Sequence, residues 1–380
     1  MLLNKKPVLC LDDMRDTSCR NPAFVRAAVM AVLEQSGLAP SDPGSEFRGM
    51  RLTEIADRCA RAADIPRTAA AAHLLQVQAL YTTSDWPAIL NGIAQSAVLA
   101  GWDAGPFAWQ RYCGTVDLRS FRPQDRVYVG GFGLFAKIPE GEAIPAVTIP
   151  GYTSSSSADS YGIGFGVTAE ALINNDIQAL IDRARAVGHA AAATIESVSC
   201  SVLKANPVLR DGGTLFNGTA IDGNGGHANK ALVDAGISST AIALGKSAMR
   251  RQSAEKDGRA LNIRPRFVLA SAEQEEEAWA VVGLPGGFGE AGSDLERYLL
   301  QSGRCELLTT PYLQDNAWFL AADPLVAPLV NIAFLNGQRE PSLSSRFNFR
   351  SGGFECVARL DFGAAAGDWR GGYMNAGSES

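Results

Sequence analysis

Residues 168–206 read TAEALINNDIQALIDRARAVGHAAAATIESVSCSVLKAN. The spacing predicts one long helix, or a short helix running into a long one. Asn175 and Asp176 interrupt the first turns. Asp176 is placed to act as an N-cap, its carboxylate accepting from the orphan backbone N–H groups of the next turn. Beyond it Ile177, Leu180, Ile181, Ala184, Gly188, Ala191, Ile195, Val198 and Val202 recur three and four apart, one face of a helix. Pro207 ends the pattern, because proline has no N–H to continue the ladder. About thirty residues at ~1.5 Å rise make a rod of roughly 45 Å, where a globular helix usually has ~10–14 residues. Gly188 with Ala190 to Ala193 forms a small face suited to close approach of another backbone. Two readings stand: a fold arranged about this rod, or the central helix of an ordinary enzyme domain.

Working outward, the preceding stretch changes character at Tyr112. Val127, Tyr128, Val129, Phe132, Leu134 and Phe135 suggest a strand broken by glycines. Lys137-Ile138-Pro139-Glu140-Gly141-Glu142 reads as the tip of a long hairpin, and Val147 to Ile149 begin the way back. SSSSADS (154–160) reads as polar and flexible. Tyr161, Ile163, Phe165 and Val167 then alternate with Gly162, Gly164 and Gly166, a period of two with one apolar face and one bare face. The whole is a β excursion without a core of its own, which needs a partner to lie on.

Nearer the start, PAFVRAAVMAVLEQSG opens at Asn21-Pro22 and closes at Gly37, and RLTEIADRCARAAD (51–64) is a second short amphipathic helix. A third spans Trp86 to Gly101 behind the Ser84-Asp85-Trp86-Pro87 cap. Helices this short must pack on something. They read equally as an arm reaching neighbours or as a helical subdomain. After the rod, Asp211 to Lys230 is an irregular glycine- and asparagine-rich loop, and Ser238 to Gln252 is helical. Arg266 to Ala270 is a buried-type strand leading to a helix capped by Ser271. Residues 283–294 form a glycine-rich loop. Cys305 to Thr309, Ala317 to Ala321, Val330 to Leu335, Ser344 to Phe349 and Glu355 to Phe362 read as strands, the last two as a ribbon across Ser351-Gly352-Gly353. The class is α+β.

The chain has 380 residues, 46% hydrophobic and 19% charged, with a net charge of −6. That argues against a sequence-reading nucleic-acid binder, though not against a protein that encloses nucleic acid. No run approaches the ~18 apolar residues of a membrane span. The start lacks the pattern of a signal peptide. Seven scattered cysteines with no CxxC pair read as reduced, buried thiols.

Catalytic patterns fail one by one. Gly162-x-Gly164-x-Gly166 has the wrong third spacing and no buried strand leading in for a dinucleotide loop. Gly245-Lys246-Ser247 has Thr240 where a phosphate loop needs its first glycine. His73, His189 and His227 have no metal-ligand spacing. There is no G-x-S-x-G elbow, and nothing favours a Cys–His pair. The expectation is no enzyme, no cofactor and no metal, but an extended protein whose arms and loop suit subunit contacts.

Longer phrases carry a resemblance. AMRRQ (248–252), KDGRALNIRPRFVLA (256–270), WFLAADP (318–324), VNIAFLNGQREP (330–341) and ARLDFGAAAGDWRGGYMN (358–375) resemble the Mu-like phage major capsid proteins, the major head subunit class. EALINND (170–176), LKANPVLRDGGTLFN (203–217) and TTSDWPAIL (82–90) fit the same pattern. FRGMRLTEIADRCARAA (47–63) resembles the segment joining a prohead protease to the capsid part in fused versions. The likeness runs in order over about 47–375.

That family is similar to tailed-phage shell proteins of the Hong Kong-ninety-seven type. The resemblance implies an N-terminal extension at 1–46, scaffold-like or part of the arm, and an arm region at 47–125. It implies an extended loop (E-loop) at 126–166, a peripheral domain at 167–206 and 331–362 carrying the spine helix, and a mainly axial domain at 207–330 and 363–380. It implies a virion protein, assembled in the bacterial host cytoplasm, forming pentamers and hexamers of an icosahedral head around double-stranded DNA. Partners would be further copies, the packaged DNA without sequence specificity, and a portal, prohead protease or scaffold and a decoration protein, with no membrane. No protease domain lies in these residues, so maturation would use a separate enzyme. Lys137, Glu140 and Glu142 are the candidate inter-subunit contacts at the loop tip. Some relatives crosslink a loop lysine to an asparagine, for which Asn331, Asn336 and Asn348 are the candidate acceptors. The alternatives are an encapsulin-like nanocompartment shell of the same fold and a small-molecule α+β enzyme.

Overall fold

The long helix α5 (Ile177–Ala205) carries Leu180, Ile181, Ala184, Gly188, Ala192, Ile195, Ser199, Cys200 and Leu203 on its buried side. This is the three-and-four spacing of one helical face, and 29 residues at ~1.5 Å give a rod of about 43 Å. The helix ends where Asn206 turns to φ 45°, a conformation asparagine tolerates, just before Pro207. Asn206 then bonds Phe216 through both side-chain atoms, accepting from its N–H at 2.6 Å and donating to its carbonyl at 2.9 Å.

The computed structural model describes residues 22–39, 46–62, 85–105, 107–129, 151–168, 170–171, 174, 177–221, 225–253, 260–282, 305–348 and 353–377. The expected N-cap Asp176 lies outside them, as do the hairpin tip and the loop at 283–294.

Three further helices lead up to the rod. In chain order they are α1 (Pro22–Gln35), α2 (Leu52–Ala62) and α3 (Asp85–Asp103). α3 is apolar on nearly every side because it is enclosed. α5 lies on one flank and α1 on another, with a strand of the main sheet beyond. It meets α5 through glycine. A Cβ on Gly188 would stand 1.9 Å from the Val98 carbonyl oxygen, and one on Gly101 would stand 1.9 Å from that of Arg185. Val25, Val29, Val32 and Leu33 of α1 join Ile55 and Cys59 of α2 in the same core as Ile89, Ile93, Leu180 and Phe354. Within the subunit these helices pack on its own body.

A one-turn helix, α4 (Trp109–Tyr112), precedes β1 (Cys113–Leu118), β2 (Gln124–Val129), β3 (Gly151–Ser156) and β4 (Asp159–Val167). Late in the chain come β8 (Val330–Leu335), β9 (Ser342–Asn348) and the 14-residue β10 (Gly353–Ala366). The main sheet runs β1-β8-β10-β4, with β9 also on β10. β1 lies parallel to β8, Cys113 opposite Val330. β10 is antiparallel to all its partners, placing Phe354 opposite Val167, Arg359 opposite Ser342, and Phe362 opposite Phe334. α5 covers the inner face of this sheet.

A second sheet, β11-β7-β5-β6, gathers β5 (Pro265–Ser271), β6 (Glu306–Thr310), β7 (Trp318–Ala322) and β11 (Gly372–Asn375). α6 (Ser239–Arg251) packs on it, Gly245 lying against Leu320 and Tyr373. The Ser238 hydroxyl caps α6 by accepting from Ala241 N–H at 3.2 Å. Ser271 and Gln274 form a capping box ahead of α7 (Glu275–Val282).

Three expectations need correction. Residues 154–160 end strand β3 and, after a two-residue connection, begin β4, with Ser154 and Ser156 buried. A serine-rich run can be buried when its hydroxyls find acceptors, and Ser154 Oγ donates to the Ala366 carbonyl. Strand β4, expected with the loop, is hydrogen-bonded into the main sheet over its whole length. Strand β1, from the segment expected as arm, is in that sheet as well.

Candidate assembly surfaces

The hairpin expected to reach outward is rooted in the body. β2 and β3 pair from Gln124↔Ser156 to Val129↔Gly151 as an isolated two-stranded ribbon. Tyr128 stacks on Tyr152 at 6.2 Å between centroids. The buried Asn331 amide donates to the Tyr128 hydroxyl. Arg210 holds Asp125 at 2.6 Å from the loop after α5. With the Ser154–Ala366 hydrogen bond, these contacts tie the ribbon to β8, β10 and the loop after α5. A cleft of about 340 Å³ opens beside the root, lined by Tyr152, Ser154, Ser201, Val202, Leu209 and Ala364. The Tyr152 hydroxyl is buried without a hydrogen-bond partner among the described residues, and burial pushes its pKa up.

Lys137, Glu140 and Glu142 lie outside the described residues. Of the candidate acceptors, Asn331 is 1% exposed with its amide engaged, so it is no target for a neighbour's lysine. Asn348 donates to Glu355 Oε1 at 2.6 Å on the sheet. Asn336 is exposed in a left-handed turn, φ 52°.

Sequence reasoning missed a polar knot built from the loop after α5. His227 is 1% exposed and stacked on Trp369 at 4.3 Å. Its Nε2 lies 2.8 Å from Asp211 Oδ2 and its Nδ1 lies 2.7 Å from the Thr214 carbonyl oxygen. Asn229, fully buried, donates to the carbonyls of Leu215 and Trp369 and accepts from Asn217 N–H. Beside it Arg370 and Asp368 form a two-pronged buried ion pair at 2.7 and 2.8 Å. Gly213 and Gly225 touch backbone to backbone. The only local signal was the density of glycine and asparagine between 206 and 229. Their partners lie about 140 residues downstream, where no short-range pattern reaches.

Among the described residues no activated thiol emerges. Cys59, Cys113, Cys200, Cys305 and Cys356 are free and buried. Burial, with Asp85 adding to it, pushes Cys59 up to about 12. Burial takes Cys356 to about 12 and Cys200 to about 11, and raises Cys113 and Cys305. Thiols so raised stay protonated at neutral pH. These five are expected to react with an aromatic disulfide reagent only after denaturation, and more than two fast thiols per native chain would contradict this. A thiol pKa raised by folding contributes stability below its ordinary value of about 9. That contribution is lost as the pH climbs towards 11–12. Among the described residues no group of histidine, cysteine and acidic side chains is placed to hold a metal.

A family profile described as phage capsid protein matches residues 151–375, more than half of the chain. The chain belongs to the phage capsid protein family. The matched region begins at β3 and takes in the rod, the second sheet, the main sheet apart from β1, and the polar knot. No curated protein matches. Among solved structures, the virus-like particle of Pyrococcus furiosus is 10% identical, covering 74% of this chain and 97% of its own, at a TM-score of 0.45. The capsid of cyanophage P-SCSP1u is 11% identical over 72% and 89%, at 0.45. Mycobacterium phage Patience is 11% identical over 77% and 88%, also at 0.45. As a phage capsid protein it has a structural role, not an enzymatic one, and its place is the virion, assembled in the host cytoplasm.

Proposed function

We propose that this phage capsid protein is the major head subunit of a Mu-like tailed phage, of the Hong Kong-ninety-seven type. It closes as pentamers and hexamers into an icosahedral shell around double-stranded DNA. The observation that carries this reading is the family match over 151–375 together with a two-stranded ribbon, β2 and β3, anchored to the body through Asn331 and Arg210. One fold serving five- and six-fold positions needs a rigid body with adjustable extensions. The rod and two sheets supply the first. The ribbon tip, with Lys137, Glu140 and Glu142, supplies the second. The net charge of −6 suits DNA that is enclosed, not gripped through many phosphate contacts. A portal, a prohead protease or scaffold and a decoration protein complete the assembly.

The test is electron microscopy of the purified chain with and without residues 131–149, replaced by a short Gly-Ser linker. The full chain is expected to form faceted shells or capsomer rings. The shortened chain is expected to keep its circular dichroism and melting transition and to lose closed shells. Normal shells from the shortened chain would remove the ribbon from the mechanism. Loss of the fold would show that 131–149 belong to the body.

A further inference from the structure

Strand β4 is an edge strand: β10 pairs one side of it, and among the described residues nothing pairs the other. Arg183 Nη1 donates to the Gly166 carbonyl at 2.6 Å from outside the sheet, so Gly166 turns its backbone groups outward. Backbone direction alternates along a strand, so Gly164, Gly162 and Ser160 present theirs on the same edge. Natural edges are blunted by proline, lysine, bulges or shortness. This one has nine residues in unbroken register, with neither proline nor lysine. Its own packing does not require the central glycine. A Cβ on Gly164 would meet nothing nearer than 3.9 Å, while glycine inside a strand costs stability.

Resting on the assembly reading above, we infer that the free edge of β4 pairs antiparallel with the same edge of a second copy, across a two-fold axis at Ile163. An isologous contact must be self-complementary, and this register is. Gly162 falls opposite Gly164 and Ser160 opposite Gly166, so each outward-facing residue meets another. Tyr161 falls opposite Phe165, an aromatic pair on the apolar side. Ile163, 48% exposed in the subunit, meets its own copy at the axis. Exposed Asp159 lands opposite Val167, next to the other copy's Arg183. Opposite charges therefore meet at both ends of the contact, and Arg183 exchanges a carbonyl for a carboxylate. In the free subunit Arg183 is the guard of this edge.

The register makes a sharp prediction. Residues at the axis form a non-hydrogen-bonded pair with Cα atoms ~4.5 Å apart, within the span a disulfide bridges. Full-length Ile163→Cys, assembled and checked by microscopy, then oxidised with diamide, is expected to run largely as a reducible dimer on a denaturing gel. Asp159→Cys and the unsubstituted chain are expected to stay monomeric, since the two 159 positions stand at opposite ends of the paired strands. Particles of Ile163→Cys whose chains stay unlinked after oxidation, or equal crosslinking by Asp159→Cys, would overturn the inference and leave the assembly reading standing. Absence of particles from the unsubstituted chain would count against both.

Discussion

Subunits carrying Gly188→Ala are expected to lose about 3 kcal/mol of stability, at the upper end of the usual cost of overpacking. Helix propensity alone predicts the opposite sign, since alanine is favoured over glycine in a helix by about 1 kcal/mol. The contact decides. The added methyl would stand 1.9 Å from the Val98 carbonyl oxygen, and what it meets is backbone of α3, not the flexible end of a side chain. Relief requires moving one enclosed helix off another. That would strip packing from the core that α1, α2 and α3 share with α5. Against a typical total of about 5–15 kcal/mol, such a loss lowers soluble yield as well as melting temperature. Ala186→Ser, on the exposed side of the same helix, is expected to stay within about 0.5 kcal/mol. Urea unfolding of the two variants is the check, and equal midpoints would mean the helices separate freely.

Asp368→Ala is expected to cost about 3–5 kcal/mol, because it strands a buried guanidinium. Arg370 is 3% exposed, and the two hydrogen bonds on the Asp368 carboxylate are the ones its fork makes there. Replacing both residues, Asp368→Leu with Arg370→Met, is expected to recover much of the loss, since a buried pair carries the desolvation cost of both charges. A double variant no better than the single one would mean that the pair does more than neutralise itself. The candidate for that extra role is orientation of Trp369, over which the Arg370 guanidinium lies at 5.8 Å and on which His227 stacks.

What was legible in the chain follows from the range of the forces involved. The rod is read from its own side-chain period and its stop at Pro207, both local. The small face at Gly188 was read as a backbone approach, and Val98 is the backbone that approaches. Strand β8 is apolar but for Asn331 because both its faces are covered, and its limits were read to the residue. Residues 154–156 misled because a run of serine is polar in composition, while its burial depends on an acceptor more than 200 positions away. Strand β1 gave no alternating signal and is held by a parallel partner from the far half of the chain. The family resemblance was carried by phrases, and several of them coincide with parts of the structure that long-range bonds hold together. Residues 203–217 and 358–375 both contribute to the polar knot, around His227 and Asn229.

That knot also sets a clock. Asn229 cannot reach the Trp369 carbonyl until 140 further residues have been made. At about 5–20 residues per second, the interval is roughly 7–28 s on the ribosome. Strand β10, which joins β4, β9 and β8, arrives in the same final stretch. A nascent chain therefore displays the rod without the sheet that covers it, and the loop without its ring of Trp369. Strands β10 and β11 are the last of the described residues to join the two sheets, so a chain still being translated has β4 without the sheet of which it is the edge.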